Sequence, residues 1–233
     1  MLRALDTISF REMLLAQTSS ESGIDILDIA SKNSERLDFL IVLIGVILGL
    51  SIGRLVNFIG DFLYNRNNGK ASLTHGLFLT SLFLFQVFYW WDIWELKIQL
   101  KDEEISFWIF IRMLLIPLCL YCATALLCPK LIYPKGDEKL SMGDLFDEQA
   151  RPFYIFWVLL CVIGISQGMD LREERLTDPE VMVRIIAGVI FLIGIIVKKS
   201  AFNSVLAFVM FLLLIVYITV PIWGGYVSQW LPA

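Results

Sequence analysis

The sequence predicts an all-α integral membrane protein, with about six transmembrane helices in a single bundle. Hydrophobic residues make up 58% of the 233 and charged residues only 18%, where a soluble domain carries about a quarter charged. Mean hydropathy is +0.72. The apolar residues also gather into runs of roughly 17 to 25, the length a helix needs to cross about 30 Å of hydrocarbon at 1.5 Å per residue.

Residues 1–37 form a polar N-terminal segment. Its one apolar piece, Ile8 to Leu15, is short and interrupted by Arg11 and Glu12, and a Ser-Ser-Glu-Ser-Gly break follows at 19–23. With no small-residue cleavage pattern after it, the segment reads as lying along the membrane surface and not as a signal peptide.

The transmembrane unit occupies 38–233. Its apolar segments are Phe39–Phe62, Leu73–Ile93, Ile105–Leu127, Phe153–Met169, Val181–Val197 and Ala201–Trp223, the fourth and fifth being the shortest. The links Asn65–Ala71, Lys97–Glu104, Asp170–Glu180 and Lys198-Lys199-Ser200 are brief. Only the loop at 129–152 is longer, and its Leu140–Gln149 stretch has the spacing of a surface helix. No link can hold a soluble domain, so any site must lie in the membrane, at its surface, or in a partner.

Six spans put both termini on one side. That side carries Arg3, Arg11, Lys32, Arg36, Lys97, Lys101, Arg172 and Arg175; the other carries Arg66, Lys70, Lys130, Lys135, Lys139, Arg151, Lys198 and Lys199. The counts tie. The compact Lys198-Lys199 turn and a final Tyr226–Ala233 tail without Lys or Arg tilt the balance toward termini outside, since short loops weigh most in the positive-inside rule.

Within the spans, Gly45, Gly49 and Gly53 recur every four residues, and the row continues through Asn57 to Asp61. Residues four apart share a helix face. Small residues let helix backbones approach closely, so the row predicts a packing seam; its lower, polar part also suits the wall of a water-filled crevice. Arg54 lies close to the same face, and His75 opens the second span on that side, so Arg54, Asn57, Asp61 and His75 form one candidate polar cluster. A second cluster is expected at the opposite side, where Asp92 and Arg112 fall at comparable depths and would neutralise each other. Gln86 sits mid-span, ready to hydrogen-bond a neighbouring helix, while Pro117 interrupts the third span and frees a backbone carbonyl. Trp90, Trp91 and Trp94 read as an interfacial aromatic belt. Gln167 closes the fourth span, and Arg184 is near enough to a polar link to snorkel.

The four cysteines, Cys119, Cys122, Cys128 and Cys161, lie inside or at the edge of apolar runs and read as buried packing thiols. No phosphate-binding loop, zinc-protease motif, nucleophile elbow or carboxylate-rich helix pair occurs, and one histidine cannot supply two axial haem ligands. Neither a metal nor another cofactor is therefore expected, and no catalytic residue is assigned. A net charge of -4 without a dense basic stripe argues against nucleic acid.

The glycine-rich first span ending near Arg54, His75 opening the next, the Tyr89-Trp90-Trp91-x-x-Trp94 close, and the approach from Asp144-Leu145-Phe146 to Arg151-Pro152-Phe153 together resemble a group of small multi-pass bacterial inner-membrane proteins. The resemblance covers about residues 38–155. It implies a bacterial inner-membrane location and brings no activity with it.

These readings favour a non-enzymatic helical membrane module that oligomerises or binds a membrane-protein partner, with the lipid bilayer as its surroundings. The alternative is an ion or small-solute channel or transporter with a polar path through the first three spans, along Asn57, Asp61, His75, Gln86, Asp92 and Arg112. A lipid-active enzyme using His75 with Asp61 is the third, weakest reading, because no nucleophile accompanies them.

Overall fold

In lipid every backbone N–H and C=O must be satisfied within its own segment, so each apolar run closes into a helix. The computed structural model describes residues 35–99, 106–131, 139–171, 175–197 and 199–230. Its helices are α1 (Glu35–Tyr64), α2 (Leu73–Gln99), α3 (Phe107–Leu127), α4 (Met142–Leu171), α5 (Pro179–Ile196) and α6 (Ser200–Trp230). All six contain a stretch long and apolar enough to cross a membrane. The surface segment expected over 1–37 lies, up to residue 34, outside the described residues, as does 132–138 of the long loop.

Local chemistry sets several helix ends. Ser106 caps α3, its Oγ accepting from the Ile109 N–H at 3.3 Å. Pro179 opens α5, where a missing N–H costs nothing, and the Asp178 carboxylate accepts from the Arg175 N–H at 2.7 Å. At α4 the boundaries differ from expectation. The stretch foreseen as a separate surface helix runs without a break into the fourth span, making one helix of 30 residues with Pro152 inside it.

Pro117 lies inside α3 and leaves the carbonyl four residues back without its usual donor. That carbonyl is Met113 O, and the buried Tyr89 hydroxyl of α2 donates to it at 2.9 Å. A proline defect in one span is thus repaired by a tyrosine from the next. Tyr89→Phe is expected to destabilise the fold by about 0.6–1.7 kcal/mol, the range found for hydrogen bonds between membrane helices, read as a shift in unfolding midpoint in mixed micelles.

Alternation of six spans defines two ends of the bundle: a first face, where α1 begins, and a second face, where α1 ends. Contacts between links agree with it. Strand β1 (Gly69–Lys70) in the α1–α2 link pairs in parallel with β2 (Leu140–Ser141) at the approach to α4, Gly69 opposite Leu140 and Lys70 opposite Ser141. Thr74 and Ser204, near the starts of α2 and α6, share a hydrogen bond of 2.7 Å. Both pairs sit at the second face.

Helix α4 occupies the middle, packed on α3 and α5, while α6 lies against α2 and α5. The buried interior is an aromatic column: Phe78 stacks on Phe146 at 4.6 Å, Phe153 and Tyr154 follow, and Trp157 stacks on Phe191 at 5.4 Å. Gly194 lets α5 approach; a Cβ there would meet Tyr154 and Leu206 at 3.0 Å. Outward faces are apolar too. On α5, Met182, Ile186, Val189, Ile193 and Ile196 form an exposed stripe at helical spacing, which in water would be an aggregation surface and in a bilayer is the solvent-facing side. The chain is therefore a multi-pass membrane protein.

Candidate functional site

The last four carbonyls of a helix have no intrahelical donors, and at the end of α3 two of them and the cap carbonyl of Cys128 are met by two of the four residues of the first expected cluster. Arg54 donates to Cys128 O at 3.2 Å and Ala125 O at 3.3 Å. His75, 3% exposed, binds Leu127 O at 2.8 Å through Nε2; a carbonyl only accepts, so Nε2 carries the proton. A cation at this pole also opposes the negative end of the helix dipole. Arg54 and His75 do meet, then, on helix carbonyls. Asn57 and Asp61 belong elsewhere: α1 continues ten residues past Arg54, about 15 Å, and both are exposed on that extension. The part of α1 from Glu35 to Arg54 is itself about 30 Å long, enough for one crossing.

A second polar group joins α1, α2 and α3 inside the bundle. Thr124 Oγ1 donates to Leu120 O at 2.9 Å, which leaves it to accept from Ser51 Oγ at 2.7 Å and Gln86 Nε2 at 3.0 Å. All three side chains are fully buried. Gln86 is where its depth suggested, but Ser51 and Thr124 escaped notice because single hydroxyls are ordinary in membrane helices. Thr124 is the hub, while Gln86 Oε1 has no partner among the described residues. Thr124→Val should therefore cost about 1–2 kcal/mol, more than Gln86→Leu, and comparison of their unfolding midpoints checks the order.

Arg112 takes a different carboxylate from the one expected. It forms an ion pair with Asp170 of α4 and donates to Ser166 Oγ at 3.4 Å. Depth along a span is shared by Asp92 and Asp170 alike; α3 packs its Arg112 side on α4. Asp92 instead lines a cavity of about 110 Å³ between α2, α4, α5 and α6, closed also by Ile116 of α3. Its walls include Phe85, Phe191, Leu214 and Trp157, the last with its Nε1 buried and unpartnered among the described residues. Arg184, Tyr217 and Gln167 stand with Asp92 in the polar part of the lining. Arg184 donates to the Tyr217 hydroxyl at 2.9 Å and Gly164 O at 3.3 Å, lies 3.5 Å from the Glu180 carboxylate, and sits 5.5 Å from the Tyr217 ring centre.

The glycine row divides. Gly45 faces inward, where a Cβ would come within 2.9 Å of the Trp90 ring, whereas nothing lies within 4 Å of a Cβ at Gly49 or Gly53. Those two glycines are exposed at the centre of the outer face of α1, bordered by the exposed Val42, Val46, Leu50 and Val56. No family model, curated protein or solved structure matches the chain.

The six residues of the expected path thus fall into separate places: His75, with Arg54, on the end of α3, Asn57 and Asp61 on the extension of α1, Gln86 in the three-helix node, Asp92 in the cavity, and Arg112 on α4. His75 is committed to a carbonyl, and among the described residues no three His, Cys, Asp or Glu side chains come together as a metal set. A further polar clip joins α4 to α6: Asn203 Nδ2 donates to Asp147 at 2.6 Å, and the buried Tyr154 hydroxyl donates to Asn203 Oδ1 at 2.9 Å. Nothing in the local sequence of Tyr154 or Asn203 announces it. Trp90, Trp91 and Trp94 are exposed near the first face, with Trp108 at the start of α3.

Proposed function

We propose that the protein is a non-enzymatic membrane module of the bacterial inner membrane that self-associates through the outer face of α1. The open pair Gly49 and Gly53 carries this reading: bare backbone flanked by β-branched ridges, facing away from the bundle. Lipid tails are as apolar as Val or Leu, so helices associate in a bilayer by close van der Waals packing, which small residues four apart permit. A second copy is the occupant best suited to it. All copies insert with one orientation, so a parallel two-fold contact brings the same groove and ridges together from both sides.

Energy transfer between donor- and acceptor-labelled copies in phosphatidylcholine vesicles tests the proposal. Transfer is expected to fall as lipid dilutes the protein and to recover on concentration, as a reversible assembly requires. Transfer no greater than random encounters at every dilution would remove the reading. Flux of protons or potassium through the same vesicles would shift the assignment to transport.

A further inference from the structure

We infer that the cavity between α2, α4, α5 and α6 binds a neutral amphipathic molecule, an apolar chain or ring carrying a carbonyl or hydroxyl oxygen. Its lining is graded along the membrane normal. Trp157 and Phe191 wall the part toward the second face, while Gln167 lies ten residues further along α4, about 15 Å, with Asp92, Arg184 and Tyr217 around it. Polar side chains therefore gather toward the first face, flanked there by Leu96 and Leu171, and the second-face part is apolar but for Trp157 Nε1, unpartnered among the described residues. This places a head toward the first face and a tail toward the second.

The second observation is unmet hydrogen-bonding capacity at the polar end. Gln167 is 8% exposed, lines the cavity, and its amide has no hydrogen-bond partner among the described residues. An amide turned into such a cavity keeps its hydrogen-bonding capacity for whatever enters it. The Tyr217 oxygen accepts from Arg184, and its hydroxyl can still donate its own proton. Together they offer an N–H donor, an O–H donor and an amide acceptor, which a single carbonyl or hydroxyl oxygen can engage.

Charge selects against the alternatives. Arg184 is already offset by Glu180 at 3.5 Å, and Asp92 adds a second carboxylate to the wall. An anionic head would meet both carboxylates and a cationic head would meet the guanidinium, while a neutral head meets neither penalty. A volume of about 110 Å³ is below the roughly 300–1,000 Å³ of drug-sized pockets, so the site takes one ring or chain segment and leaves the remainder in lipid.

The full chain in phosphatidylcholine nanodiscs, labelled by a fatty alcohol with a photoreactive group in its chain, provides the test. Mass spectrometry should map the label to the cavity walls of α4, α5 and α6. Dodecanol should compete at least tenfold better than dodecanoate or dodecyltrimethylammonium. Gln167→Leu should weaken dodecanol competition roughly 3- to 10-fold, the equivalent of one net hydrogen bond, and Leu214→Trp, which fills the cavity, should abolish the label there. Labelling spread evenly over lipid-facing residues such as Ile196, a charged competitor matching or beating dodecanol, or an unchanged midpoint in folded Gln167→Leu would each overturn the inference. The wild-type competition series decides alone if a variant does not fold.

Discussion

Tyr154→Ala is expected to cost about 3–4 kcal/mol of folding stability, among the largest losses for a single side chain in this bundle. Tyr154 is fully buried and touches Phe78, Phe146, Phe153 and Phe191. In a soluble core, such a truncation loses transfer free energy as well as leaving a cavity. In a bilayer the transfer part largely vanishes, because the unpacked state is solvated by lipid tails. What remains is the cavity, about 24 cal/mol per Å³ over roughly 100 Å³ of ring, or about 2.4 kcal/mol, plus about 1 kcal/mol for the lost hydrogen bond to Asn203. Tyr154→Phe separates the two and should cost only about 1 kcal/mol. Unfolding in mixed micelles measures both; if Tyr154→Ala and Tyr154→Phe lose the same amount, ring packing contributes nothing and this account of the core is wrong.

The six helices were legible because run length alone reports a crossing, and the bilayer leaves the backbone no other choice. Their ends were less so. Pro152 was placed as the last residue of the 129–152 loop, yet α4 passes through it, since the carbonyl it frees belongs to the exposed Glu148, outside the apolar run where water can serve it. Pro117 frees a carbonyl deep in the bundle, and there a donor had to be supplied by Tyr89. The partner of Arg112 was illegible for a different reason. Spacing along a helix gives depth, and Asp92 and Asp170 share that depth; which of them Arg112 meets depends on which helix α3 packs against. Hydroxyls such as Ser51, Thr124 and Tyr154 carry no pattern at all until three helices converge on them.

Replacing Gly49 and Gly45 by leucine should produce opposite phenotypes, although both belong to one row. Each step of four residues turns the helix by about 40° beyond a full circle at 3.6 residues per turn, so Gly45 and Gly53 point roughly 80° apart. That drift is enough to turn Gly45 onto Trp90 while Gly49 and Gly53 look out of the bundle. Gly45→Leu must displace the Trp90 ring, and overpacking of this kind costs about 1–3 kcal/mol; the folded population and its unfolding midpoint should fall. At Gly49 nothing lies within 4 Å of an added Cβ and the position is exposed, so the Gly49→Leu midpoint should hold within about 0.5 kcal/mol, as for a substitution away from internal contacts. Its leucine fills the groove that a second α1 would enter, and energy transfer between labelled copies should drop at least tenfold in apparent association, about 1.4 kcal/mol. Gly49→Ala, adding one methyl group, should fall between wild type and leucine. A Gly49→Leu protein that assembles as wild type does would leave the outer face of α1 as plain lipid-facing surface, and the self-association assigned to it would have to be abandoned.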